Sequence, residues 1–164
     1  MPCYTKCVQK YTLICLIQKM DEGTEFSARD WPLHVTLVSN FVVDWETTGL
    51  FEKLTYLLSR HKPIQVTAAD DEFFGSEKQI RVTILDMNAG LIVLHKDIVK
   101  LLKSVGAVFD EPQYLEKGYR AHVTVTPKAR AMKGDVVDID NVTIVDMFPH
   151  QDINQRKLLQ TIEL

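Results

Sequence analysis

Tyr119-Arg120-Ala121-His122-Val123-Thr124-Val125-Thr126 decides the reading of this chain, because Leu33-His34-Val35-Thr36-Leu37 repeats its centre. Both copies run apolar, His, Val, Thr, apolar, and the two histidines are 88 positions apart. In a strand, residues i and i+2 share a face about 6–7 Å apart while i±1 point the other way. His34 and Thr36 therefore share one face, as do His122 and Thr124. Leu33, Val35 and Leu37, like Ala121, Val123 and Val125, are small or branched apolar residues suited to a buried face. Each copy reads as a half-buried strand whose other face carries an imidazole and a hydroxyl. One His-x-Thr strand arises easily by chance, but two near-identical copies point to an internal repeat that lines one cleft from both sides.

Outward from the motifs, apolar spacing predicts the other elements. Residues 8–19 and about 32–39 read as strands. Leu50, Phe51, Leu54, Leu57 and Leu58 follow helical spacing after capping residues at Asp44–Thr48, and Pro63 lies beyond the helix end. Strands follow at about 63–70 and 79–86, with Asp70-Asp71-Glu72 and Phe74-Gly75-Ser76 as the connection between them. Leu91, Leu94, Ile98, Leu101, Leu102 and Val105 form a second helical stripe ended by Gly106. The second motif strand spans about 119–126, and two more strands are expected at about 136–148 and 156–163. Residues 21–30 and 109–118 read as connections. Strands with isolated helices and no strict alternation predict an α+β fold with largely antiparallel sheets. With no Gly/Ser linker, residues 1–164 are expected to form a single domain of two lobes packed as one unit.

The 164 residues are 46% hydrophobic, enough to fold without staples. Cys3, Cys7 and Cys15 have no partner spacing for a zinc site and read as free thiols in a reducing compartment, with Cys15 in the core. The apolar run Tyr11–Ile17 is too short for a membrane span, and Lys19 and Asp21 follow it directly, so a first strand is expected in a soluble, cytoplasmic protein without membrane association. A net charge of −3 argues against gripping a long phosphate backbone. Arg120, Lys128, Arg130 and Lys133 nevertheless crowd the second motif, either as a solvated loop or as a cationic rim for a phosphate.

Two imidazoles and two hydroxyls in one cleft suit phosphoryl transfer without a metal. In-line cleavage of a phosphodiester needs a base on the attacking water and an acid on the leaving oxygen, on opposite sides of phosphorus. Histidine, with an ordinary pKa of ~6.5, can serve as either. Hydroxyls can donate to the non-bridging oxygens. A metal hydrolase is disfavoured, because neither motif has a carboxylate at a matching offset.

Pro32-Leu33-His34-Val35-Thr36-Leu37 with Phe41, and Tyr119-Arg120-Ala121-His122-Val123-Thr124-Val125, resemble the paired His-x-Thr motifs of the two-histidine phosphoesterase superfamily. Within it the chain is similar to the 2′-5′ RNA ligase-like, or RNA 2′,3′-cyclic phosphodiesterase, branch. The resemblance covers nearly the whole chain, including Phe73-Phe74-Gly75 and the helix ending at Gly106. It implies a bilobal, pseudo-twofold arrangement of two mainly antiparallel sheets with flanking helices and a central cleft, no cofactor and no metal. It also implies hydrolysis of 2′,3′-cyclic phosphates on RNA ends or small nucleotides to 2′-phosphates. His34, Thr36, His122 and Thr124 then become the catalytic set, with His122 activating water and His34 protonating the departing 3′-oxygen. Family members often carry an arginine soon after the second motif, whereas here Pro127 and Lys128 precede Arg130.

For substrate contacts, Arg120 shares the parity of His122 and is a candidate for the phosphate or for a rim ion pair. Lys128 and Arg130 are further candidates. Tyr11 and Phe74 are candidates for stacking a base, or else core and wall residues. The expected partner is an RNA terminus or nucleotide, and the chain is expected to be a monomer. The alternatives are another substrate, such as a 2′-5′ oligonucleotide or an ADP-ribose cyclic phosphate, and a module that binds terminal phosphates without turnover.

Overall fold

Strand pairing around the first motif organises the structure, a computed structural model that describes residues 9–164. Cys3 and Cys7 lie outside the described residues. In chain order the strands and helices are β1 (Lys10–Leu16), β2 (Glu25–Ser27), β3 (His34–Val42), α1 (Trp45–Thr48), α2 (Leu50–Leu58), β4 (Ile64–Phe74), β5 (Ile80–Leu85), α3 (Ala89–Ser104), β6 (Val108–Phe109), β7 (His122–Thr124), β8 (Val136–Ile139), β9 (Asn141–Asp146) and β10 (Gln155–Glu163). Edge to edge the strands run β2-β10-β9-β1-β3-β7-β5-β4-β8, with β6 on the far end of β3. Every pairing is antiparallel.

The two motif strands, β3 and β7, stand next to each other at the middle of this order. They are joined by one rung, Val35 opposite Val123. The expected two sheets are therefore present as two halves of one continuous path, β2-β10-β9-β1-β3 in the first lobe and β7-β5-β4-β8 in the second. One face of the path packs Leu13, Cys15, Val35, Leu37 and Val123 against the helices in the main core. The other face carries a smaller apolar floor of Ile14, Leu16, Phe26, Val145, Met147 and Leu158 in the first lobe.

Helix α2 buries Leu50, Leu54 and Leu58, and α3 buries Leu91, Leu94, Ile98 and Leu102. Each such leucine is worth roughly 1.5–3 kcal/mol of burial. The Asn88 side chain caps α3 by accepting from the Leu91 amide at 3.0 Å. Helix α2 coincides with the helix expected from Leu50 to Leu58, while the stretch read as capping residues forms the one-turn helix α1, which Gly49 at φ 61° ends in a left-handed turn.

Four expectations are corrected. Asp70-Asp71-Glu72 is not a connection but part of β4, because a cation answers each acid: Lys133 on Asp70 at 2.8 Å, Arg130 and Arg81 on Asp71 at 2.6 and 2.7 Å, and Arg120 on Glu72 at 2.7 Å. The strand expected at 136–148 is two strands, because β8 pairs with β4 whereas β9 pairs with β1. Asn141, just past the crossing, is buried and grips β1 by accepting from the Leu16 amide and donating to the Leu16 carbonyl, both at 3.0 Å. The polar stretch 21–30 contains edge strand β2, drawn onto β10 by Phe26 opposite Arg156. The second motif strand keeps only residues 122–124.

Candidate active site

The single Val35–Val123 rung fixes the site. Both valines are fully buried on the helix side. Antiparallel pairing then sets His34 across from Thr124 and Thr36 across from His122, all four on the open face. The two histidines are diagonal neighbours, a relation that separates backbones by about 7–8 Å and leaves room for one phosphate between the rings.

Each imidazole is held the same way. His34 Nδ1 donates to the Pro32 carbonyl at 2.7 Å, and His122 Nδ1 donates to the Arg120 carbonyl at 2.8 Å. In both motifs the acceptor lies two residues upstream. With Nδ1–H committed, each Nε2 carries either the lone pair or the exchangeable proton, as acid–base work requires. Burial holds both rings below the usual histidine pKa; the carbonyl bonds oppose this, while the charge of His122 adds to it at His34 and that of Arg120 adds to it at His122. A protonated His122 makes protonation of His34 harder. An anion between them favours one imidazolium beside one neutral imidazole.

An aromatic ring backs each histidine. Trp31 lies 5.0 Å from His34, and Phe74 meets His122 edge-on at 4.8 Å. Trp31 was not among the sequence candidates, although its place directly before Pro32 and the first motif is a usable signal. Arg120 is beside His122 as parity suggests, with its guanidinium 5.5 Å over Phe74 and bound to Glu72. Lys128 is exposed and paired with Asp30 of the first lobe at 3.2 Å.

Two candidates are elsewhere. Arg130 binds Asp71 at 2.6 Å and the Thr83 hydroxyl at 3.3 Å. Thr83 pairs with Val123, so this guanidinium lies on the face opposite the histidines. There it helps hold the Asp71 carboxyl down to about 2. Tyr11 also faces the helix side, its ring 4.9 Å from Trp45, with burial pushing its hydroxyl up to about 12. Neither residue reaches the cleft.

Sequence reasoning also passed over a buried support. His95 of α3, 1% exposed, donates from Nδ1 to the Leu37 carbonyl of β3 at 2.7 Å and accepts at Nε2 from the Glu116 amide at 2.9 Å. Its ring stacks on Tyr119 at 4.0 Å, and the Tyr119 hydroxyl donates to the Thr36 carbonyl at 2.8 Å. One helix residue thus ties the first motif strand to the loop leading into the second. Gly118 lets that loop close, since a Cβ there would lie 1.8 Å from the Gln113 carbonyl oxygen. Tyr119, stacked on His95, lies outside β7.

With this geometry in place, comparison with known proteins is decisive. A sequence model of the 2′-5′ RNA ligase superfamily matches residues 14–135, spanning both motifs. The chain belongs to that superfamily.

Among solved structures, a phosphoesterase aligns over 96% of this chain and 98% of its own, with 15% identity and a TM-score of 0.58. Escherichia coli LigT in complex with 3′-AMP aligns over the same shares, with 17% identity and a TM-score of 0.56. TT0787 of Thermus thermophilus covers 95% of this chain and 97% of its own, with 14% identity and a TM-score of 0.55. At these identities the structures establish a shared fold. No curated protein matches. As a superfamily member with this fold, the chain is a phosphoester enzyme in the general sense of hydrolysis or ligation. Among the described residues, no helix is long and apolar enough to cross a membrane.

Proposed function

We propose that the chain is a cyclic phosphodiesterase that hydrolyses 2′,3′-cyclic phosphates on RNA ends or small nucleotides to 2′-phosphates without a metal, working as one two-lobed unit. The observation that carries this reading is the pair of equivalent imidazoles on one face, each with Nδ1–H committed to a carbonyl two residues upstream. His122 Nε2 takes a proton from water as the water oxygen bonds to phosphorus. The bond from phosphorus to the 3′-oxygen breaks, and His34 Nε2–H delivers its proton to that oxygen, leaving a 3′-hydroxyl and a 2′-phosphate. Thr36 and Thr124, at the other two corners, donate to the non-bridging oxygens where charge gathers. LigT has been crystallised with 3′-AMP, ATP and NADP+, which supports a nucleotide as the ligand of a shared fold.

The test is product analysis on uridine 2′,3′-cyclic phosphate with the wild type, His34→Ala and His122→Ala. Each substitution is expected to lower kcat about 10²–10⁴-fold, the usual worth of a positioned acid or base. The wild type should form the 2′-phosphate, with chelator present or absent. Full turnover by both variants removes the proposal. Tight binding without product favours a phosphate-binding module instead, and cleavage only of a 2′-5′ oligonucleotide or of an ADP-ribose cyclic phosphate moves the enzyme to another substrate.

A further inference from the structure

The motif strands meet at one rung, Val35 opposite Val123, and a single rung is a pivot about which two strands can still turn. A second tie crosses the same gap upstream of that rung. The Tyr119 hydroxyl donates to the Thr36 carbonyl at 2.8 Å, so the segment entering β7 is fastened to the residue that stands across from His122. In the chain His122 lies between the two ties. Arg120, the residue after Tyr119, supplies the carbonyl that orients His122 Nδ1–H at 2.8 Å, and the Ala121 carbonyl accepts from the Leu85 amide at 3.0 Å.

Three features keep this hydroxyl in place as a donor. The Tyr119 ring lies flat on His95, with centroids 4.0 Å apart and an interplanar angle of 3°. His95 in turn donates to the Leu37 carbonyl at 2.7 Å, so the ring rests on a residue anchored to the strand that carries the acceptor. Burial raises the pKa of the hydroxyl, which therefore keeps its proton wherever the histidines work. The ring packs against the main core on the helix side, so Tyr119 touches no substrate in the open cleft.

We infer that Tyr119 is a positioning residue: through the Thr36 carbonyl it fixes the angle between the motif strands, and with it the span across which the two imidazoles face one phosphorus atom. This rests on the proposed hydrolysis. An acid and a base on opposite sides of phosphorus tolerate little error, since a misplacement of about 1 Å can cost about 10²-fold in rate.

The experiment compares kcat and KM on uridine 2′,3′-cyclic phosphate for the wild type, for Tyr119→Phe and for Tyr119 replaced by para-aminophenylalanine. Phenylalanine keeps the stack on His95 and loses only the donor, so the chain is expected to stay folded by circular dichroism. Its kcat should fall about 10–100-fold with KM changed less than about twofold, because the lost tie bears on the reacting groups and not on binding. The para-amine donates in place of the hydroxyl and should recover most of kcat. A kcat in Tyr119→Phe equal to that of the wild type, a change in KM alone, or no recovery with the amine overturns the positioning role and leaves the hydrolysis standing. Proton NMR reads the role without turnover. The His122 Nδ1–H proton, held on the Arg120 carbonyl, should exchange with water at least about tenfold faster in Tyr119→Phe. A wild type that turns over no cyclic phosphate removes the hydrolysis, and unchanged exchange in the variant then removes the positioning role as well.

Discussion

Replacing His95 with phenylalanine separates the buried tether from the chemistry. The new ring can still stack on Tyr119, but the Leu37 carbonyl and the Glu116 amide lose their partners at 2.7 and 2.9 Å. The Leu37 carbonyl is buried and costs about 1–3 kcal/mol when left unpaired, whereas the Glu116 amide belongs to an exposed residue that water can reach. At about 2–4 °C per kcal/mol for a chain this long, the melting temperature should fall by roughly 2–12 °C. The loss should also depend on pH. Burial holds the His95 pKa below its ordinary value; the charge of Glu116 opposes this and that of Lys96 adds to it. The unfolded chain then binds the proton more readily. Stability from this residue is complete above about pH 6.5 and declines as pH falls through the window below it. The cost of the substitution is therefore larger at about pH 7.5 than at about pH 5, as read by thermal unfolding followed by circular dichroism at both. A variant that melts with the wild type at the higher pH, or loses equally at both, would refute the reasoning.

Other perturbations address the site and the crossing. With both motif histidines held below their usual pKa, the bell of kcat/KM against pH should centre on the acid side of ~6.5. Arg120→Leu removes a cation that lowers the His122 pKa, so the limb belonging to His122 should move to higher pH; a profile identical to the wild type contradicts that coupling. If His34 protonates the leaving oxygen, a substrate with sulfur in place of the 3′-oxygen should restore much of the rate lost in His34→Ala, because a thiolate leaves without a proton. The same substrate should do little for His122→Ala, and equal rescue of both variants contradicts the assignment. Asn141→Leu strips the buried bonds to the Leu16 amide and carbonyl and should cost about 2–5 kcal/mol in chemical denaturation; a loss within about 0.5 kcal/mol contradicts the role given to that side chain.

The motif strands, both long helices and the α+β class were legible because period-2 and period-3.6 patterns survive wherever one face is buried. Parity put His34, Thr36, His122 and Thr124 on open faces, but only the Val35–Val123 rung shows that these are the same face. Of the two readings open for Tyr11, a core residue is the one the structure shows, because the helices cover its face of β1, which the sequence of that strand alone does not specify. Arg130 lies away from the cleft because, with Arg81, it neutralises Asp71 within a strand, and nothing local to an acidic stretch that reads as a connection reveals those partners. His95 has no partner pattern in the sequence, because its role depends on an acceptor 58 positions away. Trp31 was visible in the sequence as the aromatic before Pro32, yet its bearing on His34 is a matter of tertiary packing.

The passage from β8 to β9 at Asp140 bears on the order of assembly. Strand β9 fills the place beside β1, and β10 flanks it, so the first lobe is laid down in two instalments separated by the whole of the second. During synthesis the outer edge of β1 stays unzipped until residues 141–163 have left the ribosome, even though its partner β3 was made long before. A nascent chain halted in the second lobe would expose that edge to other strands, and its paired imidazoles would rest on half a floor.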